Sequence, residues 1–304
     1  MPVTWLWIPI TIAAALSQNV RTALQKHLKG RLSTNGANYT RFVFGLPFAI
    51  GYAVLLHAIG GFAWPSPGPG FFGWVVLGGV TQIVATSLLI EAMTRRNFAA
   101  GVAYSKTEVV QAALFEIIVL GVAVSLGGAS AIVLATLGVM LISLKQTQDP
   151  LRAFFTGWTD TGALLGLASG GFFGVSAVAF RAASIGLDHP SFLMSAGFTL
   201  AWAQSIQTLL LTLWLLWREP GQLAAVARHW RQGALVGLTG TLGSACWFTA
   251  FTIQVAAYVR TLGLIELIFT FIVGRLVFKE RASRYEIIGI ALLCAGIALV
   301  LNMR

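Results

Sequence analysis

Apolar runs of about 20 residues, the length a helix needs to cross a bilayer, follow one another along nearly the whole chain. Short turns between them hold most of the charge. Of 304 residues, 57% are hydrophobic and 10% are charged, whereas a soluble domain carries about 25% charged residues. A water-facing surface cannot be assembled from so few charges, and no stretch remains for a separate soluble domain. The net charge of +10 does not indicate nucleic acid, because the Lys and Arg residues sit in short loops where topogenic charges belong.

Charge, Pro and Gly clusters divide the chain into ten expected helices, near 5–26, 37–59, 71–93, 97–120, 128–146, 158–184, 190–217, 231–253, 255–278 and 284–302. Trp64-Pro65-Ser66-Pro67-Gly68-Pro69-Gly70 is a loop, and 219–230 reads as a short interfacial helix with Leu223, Val226 and Trp230 toward lipid. Trp5, Trp7, Trp74, Trp158, Trp214, Trp217 and Trp230 fall near helix ends, where indole rings favour the interface. Trp202 and Trp247 sit inside spans. The first apolar stretch lacks a basic leader and contains Gln18, Asn19 and Arg21, so it reads as a retained helix. Cys246 and Cys294 lie in apolar runs and read as buried free thiols.

Sliding the chain by 158 residues brings Ala92 onto Ala250, Thr94 onto Thr252, Glu108 onto Glu266 and Gly138 onto Gly296. Near the start the offset becomes 160 and places Arg21 on Arg181. Two five-helix repeats, residues 1–150 and 151–304, are the simplest reading. Five is odd, so the second repeat must enter the membrane from the opposite side. Thirteen of the twenty Lys and Arg residues lie in loops that follow odd-numbered helices, among them Lys26, Arg31, Arg95, Lys145, Arg228 and Lys279. Loops after helices 2, 4 and 8 have none. The halves are thus antisymmetric in charge, as an inverted repeat requires. The expected fold is an all-α membrane protein of ten transmembrane helices in two inverted five-helix repeats.

These repeats, the small-residue-rich fourth and ninth helices and the turn Phe278-Lys279-Glu280-Arg281-Ala282-Ser283 carry a resemblance. So does the stretch Ile288-Gly289-Ile290-Ala291-Leu292-Leu293-Cys294-Ala295-Gly296-Ile297. The whole chain resembles the ten-helix EamA-type members of the drug/metabolite transporter superfamily. The resemblance implies a cavity lined by helices 1, 3, 4, 6, 8 and 9, with helices 5 and 10 supporting. It also implies substrates among amino acids, other metabolites, nucleotide sugars or triose phosphates. Most such members keep both termini in the cytoplasm, whereas the charges here place odd loops inside and both termini outside.

Charged groups inside a bilayer are costly and face a cavity or one another. Glu108 and Glu266 are repeat-equivalent, and each is a candidate to bind a substrate amine or a proton; the alternative is a structural ion pair. On a continuous helix Tyr104, Glu108, Gln111 and Phe115 share a face. Arg21 can neutralise a Glu or bind a carboxylate, and Arg181, near a helix end, reads as snorkelling. Lys106 and Arg260, near helix starts, are candidate anion ligands, while Glu116 and Arg275 read as partners of loop charges. Gln18, Asn19, Gln82 and Ser244 add polar lining, and Trp247 is either a stacking platform or ordinary packing. Gly162, Gly166, Gly170 and Gly174, four apart, form a ridge for close helix packing.

No Walker A, HExxH or CxxC pattern occurs, and His27, His57, His189 and His229 are scattered. The expected protein is not an enzyme and calls for no cofactor or metal. It is a multi-pass secondary transporter of the inner (plasma) membrane, working by alternating access and binding no nucleic acid. Its substrates are small polar metabolites, amino acids first, with export preferred, protons as candidate coupling ion and a monomer as the expected state. Multidrug efflux or lipid-linked metabolite flipping is the alternative, ahead of an intramembrane enzyme. A reporter fused after Arg304 is expected to be active outside the cytoplasm; cytoplasmic activity refutes the charge argument.

Overall fold

The computed structural model describes residues 5–28, 31–94, 104–122, 124–143, 161–276 and 283–302. Arg95, Arg96, Lys145, Arg152, Trp158, Lys279, Arg281 and the junction expected at 150/151 lie outside them. The described elements are all helical. In chain order they are α1 (Trp7–Leu28), α2 (Thr34–Val43), α3 (Leu46–Ala58), α4 (Phe71–Thr94), α5 (Glu108–Leu120) and α6 (Leu126–Ser143). The second half continues with α7 (Thr161–Ile185), α8 (Phe192–Arg218), α9 (Pro220–Arg228), α10 (Trp230–Ile253), α11 (Ala256–Gly263), α12 (Ile265–Leu276) and α13 (Arg284–Asn302).

Among the described residues six helical stretches are long and apolar enough to cross a membrane: Thr34–Ala58, Phe71–Ala92, Thr161–Ile185, Phe192–Arg218, Trp230–Ile253 and Arg284–Asn302. Large apolar side chains are exposed on their outer faces; Leu209 is 58% exposed, Leu55 55% and Ile287 55%. Water would penalise such a surface, whereas lipid does not. The chain is a multi-pass membrane protein. Cys294 is exposed and Cys246 half-buried, so the thiols expected to be buried lie partly on this outer surface.

Three helices expected to be continuous are interrupted. The span expected at 37–59 starts at Thr34 and turns at Phe44 and Gly45, because Pro47 has no N–H and its ring collides with the preceding turn. Carbonyls around the turn are bonded by side chains. Gln204 Nε2 donates to the carbonyls of Arg41 and Phe42, each at 3.4 Å, and Thr241 Oγ1 donates to Gly45 O at 3.0 Å. In the segment expected at 97–120, a turn at Lys106 and Thr107 precedes α5. The span expected at 255–278 turns at Leu264, between α11 and α12. Both turns tighten to three-residue bonds, Thr107 N to Tyr104 O at 3.2 Å and Leu264 N to Thr261 O at 3.2 Å, a geometry that marks hinges within helices. The short helix expected at 219–230 is α9. Its Val226 is 2% exposed and faces protein, correcting the lipid-facing assignment, while Trp230 is exposed.

The chain forms two compact units, each discontinuous in sequence. The first comprises Met1–Val80 and Ala179–Gln254, the second Thr81–Val178 and Val255–Arg304. In the first, α1 packs on α10, and α8 packs on α2, α3 and α10. Phe180 and Phe248, with ring centroids 4.6 Å apart, anchor its core with Phe71 and Leu200.

In the second unit α6 packs along α13 through small residues. A Cβ on Gly138 would lie 2.6 Å from Gly289 O, and one on Gly296 would lie 2.7 Å from Ala131 O. Gly138 and Gly296 differ by the repeat offset, as do Ala131 and Gly289, so one contact is the other with its partners exchanged. Backbones this close gain dispersion and leave no room for a side chain. Gly289→Leu is expected to destabilise the protein by about 1–3 kcal/mol through overpacking, read as a lower melting temperature in detergent, whereas the same change at exposed Gly73, whose Cβ meets nothing, has little effect.

Candidate functional site

In the second unit the turns before α5 and α12 bring four charged side chains together. Lys106, in the first turn, donates from Nζ to Glu266 Oε1 at 2.9 Å. Arg260, in the last turn of α11, has Nη1 3.7 Å from Glu108 Oε1. All four side chains are largely buried. Each carboxylate opens a helical segment, Glu108 in the first turn of α5 and Glu266 in the first turn of α12. There the unpaired amides favour negative charge, and Arg260 near a helix C-terminus is favoured likewise. The repeat-equivalent carboxylates are therefore cross-paired, each to a cation from the other half of the sequence. Each carboxylate thus has an ion-pair partner at the place where two helices are interrupted.

The glycine ridge on α7 explains how this turn is held. A Cβ on Gly170 would come within 2.8 Å of Ser105 O, and one on Gly174 within 3.0 Å of Ala112 N. Only glycine lets α7 lie against the turn that carries Lys106 and Glu108. Gln111 Nε2 adds bonds to Thr107 Oγ1 at 2.9 Å and Leu167 O at 3.2 Å. Tyr104 does not continue the expected face, because the turn at 106–107 intervenes; it is buried with Met140 and Ala163. Gln82 is half-buried on α4.

Glu116 is fully buried and accepts the amides of Ala256 at 3.0 Å and Ala257 at 3.3 Å. It caps the start of α11. Arg275 is outside the side chains described. In the first unit Arg181 Nη1 donates to the carbonyls of Phe251 and Gln254, the latter at 2.6 Å, and so closes the C-terminal end of α10. It does not snorkel.

The other candidates gather on one face of α10 in the first unit. Ser244 is buried, and its Oγ accepts from Arg41 Nη2 at 3.3 Å. Trp247 is buried one turn further on, stacked on Phe251 with centroids 5.8 Å apart. Trp202, the other mid-span indole, is exposed. Ser17 and the Gln18 amide approach Gly243 of α10, and the Arg21 stem lies against Gly240. Gln18 and Asn19 are half-buried. Arg41 and Gln204 were not among the sequence candidates. Pro47, six residues after Arg41, is the signal that a helix interruption places Arg41 within the span and not at its edge.

Residues 160–302 match the EamA-like transporter family. No curated protein matches the chain. A solved chain described as "Crystal structure of protein" superposes with a TM-score of 0.69 at 16% identity, covering 98% of this chain and 97% of its own. The fold is thus shared over the full length, and the C-terminal half is an EamA-like transporter family domain of the drug/metabolite transporter superfamily.

Glu116→Ala strands two buried amides and is expected to lower stability by about 2–3 kcal/mol. Glu116→Gln, which keeps one acceptor, costs less. Thermal unfolding in detergent compares the two, and a Glu116→Ala variant as stable as the wild type refutes the cap.

Proposed function

We propose that the protein is a secondary active transporter of small polar metabolites, amino acids first, built from two inverted five-helix repeats that span the inner membrane ten times. Residues 1–150 and 151–304 form the repeats. The exchanged contact pair between α6 and α13 and the matching turns before Glu108 and Glu266 support a two-fold relation between them. An odd number of helices per repeat makes that relation an inversion.

The cross-paired carboxylates carry the reading. Charges held at interrupted helices inside a bilayer are retained at a cost in insertion energy. Such interruptions are where transporters of this architecture bind substrate and coupling ions. Lys106–Glu266 and Arg260–Glu108 are pairs whose partners a substrate amine or a proton can replace. Replacement loosens the tie between α5 and α12 and lets the halves rock. Protons are the coupling ion, export is the direction, and a single chain supplies both halves.

The direct test is efflux from proteoliposomes preloaded with mixed amino acids and small metabolites, read by mass spectrometry with and without a pH gradient. Selective loss of a few compounds supports the reading. Retention of every compound by folded protein refutes it and turns attention to hydrophobic drugs or lipid-linked substrates. Glu108→Gln is expected to abolish flux or its pH dependence while the protein stays folded; normal pH-dependent flux removes Glu108 from the mechanism.

A further inference from the structure

The end of the first unit that carries α9 has an unbalanced charge. That unit contains nine Lys and Arg residues and two carboxylates, Asp188 and Glu219. Asp188 precedes α8 and Glu219 follows it, so the 27 residues of α8 hold them about 40 Å apart. α8 and α10 pack on each other, both are long enough to span a membrane, and α9 joins them. Arg218, the last residue of α8, and Arg231, in the first turn of α10, therefore stand at the same end, with Arg228 closing α9. Arg31 is brought there by Ser33, two residues on, whose amide donates to Gln222 Oε1 at 2.9 Å and whose hydroxyl donates to Glu219 Oε2. Asn35 Nδ2 donates to the other oxygen of Glu219 at 2.7 Å. The one carboxylate of the unit at this end is thus held on the start of α2, while all four arginines are exposed. None of the four has an ion-pair partner among the described residues.

Indoles set the depth of these arginines. Arg218 Cζ lies 4.1 Å from the Trp217 ring centroid and 5.7 Å from that of Trp214, and Arg231 Cζ lies 5.6 Å from that of Trp230. The three indoles are exposed, and indole rings settle at the level of lipid headgroups. Stacking keeps each guanidinium at that level with its N–H groups left to donate. Between them the outward side of α9 is formed by Pro220, Gly221, Ala224 and Ala227, all exposed, and a Cβ on Gly221 would meet nothing. This is a shelf without long side chains or carboxylates, about 13 Å long, with Arg218 at one end and Arg228 and Arg231 at the other. From the Arg218 end a ridge of exposed leucines, Leu209, Leu213 and Leu216, runs along α8 into the apolar zone. Topogenic charge asks only for a positive loop. Stacked guanidinium groups around an open shelf, with an apolar track leading away, suit an amphiphile with an anionic head.

We propose that α9 and the adjoining ends of α8 and α10 bind an anionic phospholipid, with its phosphodiester on the α9 shelf between Arg218, Arg228 and Arg231 and an acyl chain along the α8 leucines. Arg31 adds to the positive field from the neighbouring loop. The bound lipid ties α8 to α10 across α9, and the site is independent of what the protein transports.

The test uses the full-length, delipidated protein in detergent, titrated with phosphatidylglycerol, with phosphatidylcholine of the same acyl chains, and with glycerol 3-phosphate as a head without chains. Native mass spectrometry counts the bound molecules and gives each Kd. Phosphatidylglycerol is expected to bind in preference to phosphatidylcholine, and glycerol 3-phosphate is expected not to compete. Arg218→Gln, Arg228→Gln and Arg231→Gln are each expected to weaken phosphatidylglycerol binding about fivefold. Arg284→Gln, which removes an exposed arginine of the second unit, leaves it unchanged. Ala224→Glu keeps every arginine and lies at an exposed position, and is expected to weaken binding at least as much as one arginine lost. Equal binding of the two lipids overturns the site, as does unchanged phosphatidylglycerol affinity in an Arg218→Gln, Arg231→Gln double variant. Competition by glycerol 3-phosphate at equal concentration shows an anion site that needs no lipid, and overturns it too. If the double variant fails to fold, Ala224→Glu decides, and unchanged affinity in that variant overturns the proposal.

Discussion

A helix interrupted within a bilayer exposes amides and carbonyls that water cannot reach, and every such group must find a partner inside the protein. That demand organises this molecule. At the interruption in the second span, Gln204 takes up the Arg41 carbonyl and Thr241 adds a bond to that of Gly45. In the first unit Arg181 takes up carbonyls at the end of α10, and in the second Glu116 takes up the first amides of α11. Gln204, Thr241, Arg181 and Glu116 thus serve the backbone.

The interruptions in turn decide where charge can reside. Glu108 and Glu266 stand at new helix starts, where the local dipole favours them, and their cationic partners lie within the same unit. A buried ion pair contributes little net stability, but stripping one partner from it costs about 3–5 kcal/mol. Such pairs hold firmly until another charge or a proton takes a partner's place, which makes them suited to switching and poorly suited to simple reinforcement.

The sequence was informative wherever periodicity and composition decide structure. Apolar run length located the helices of both halves, and the repeat offset anticipated that Gly138 and Gly296 would have corresponding surroundings. Glycines at four-residue spacing on α7 announced close packing, which Gly170 and Gly174 supply. What stayed hidden depends on tertiary partners. The turns at Lys106–Thr107 and Leu264 contain no proline, so nothing local distinguishes them from continuing helix. The capping roles of Glu116 and Arg181 rest on residues 140 and 70 positions away. Trp202 and Trp247 look alike as mid-span indoles, and only packing turns one outward and the other inward.

The crossing of α6 and α13 has a consequence for how such a chain can diverge. Gly138 sits on Gly289 and Gly296 on Ala131 at backbone distance. Side-chain volume at each of these positions is therefore set by a position in the other half of the chain. A larger residue on one helix is tolerated only where the opposing helix has already retreated, so the two positions in each pair behave as one evolutionary variable. Substitutions along the contact are therefore expected to come in pairs, whereas the outward faces are free to change one residue at a time.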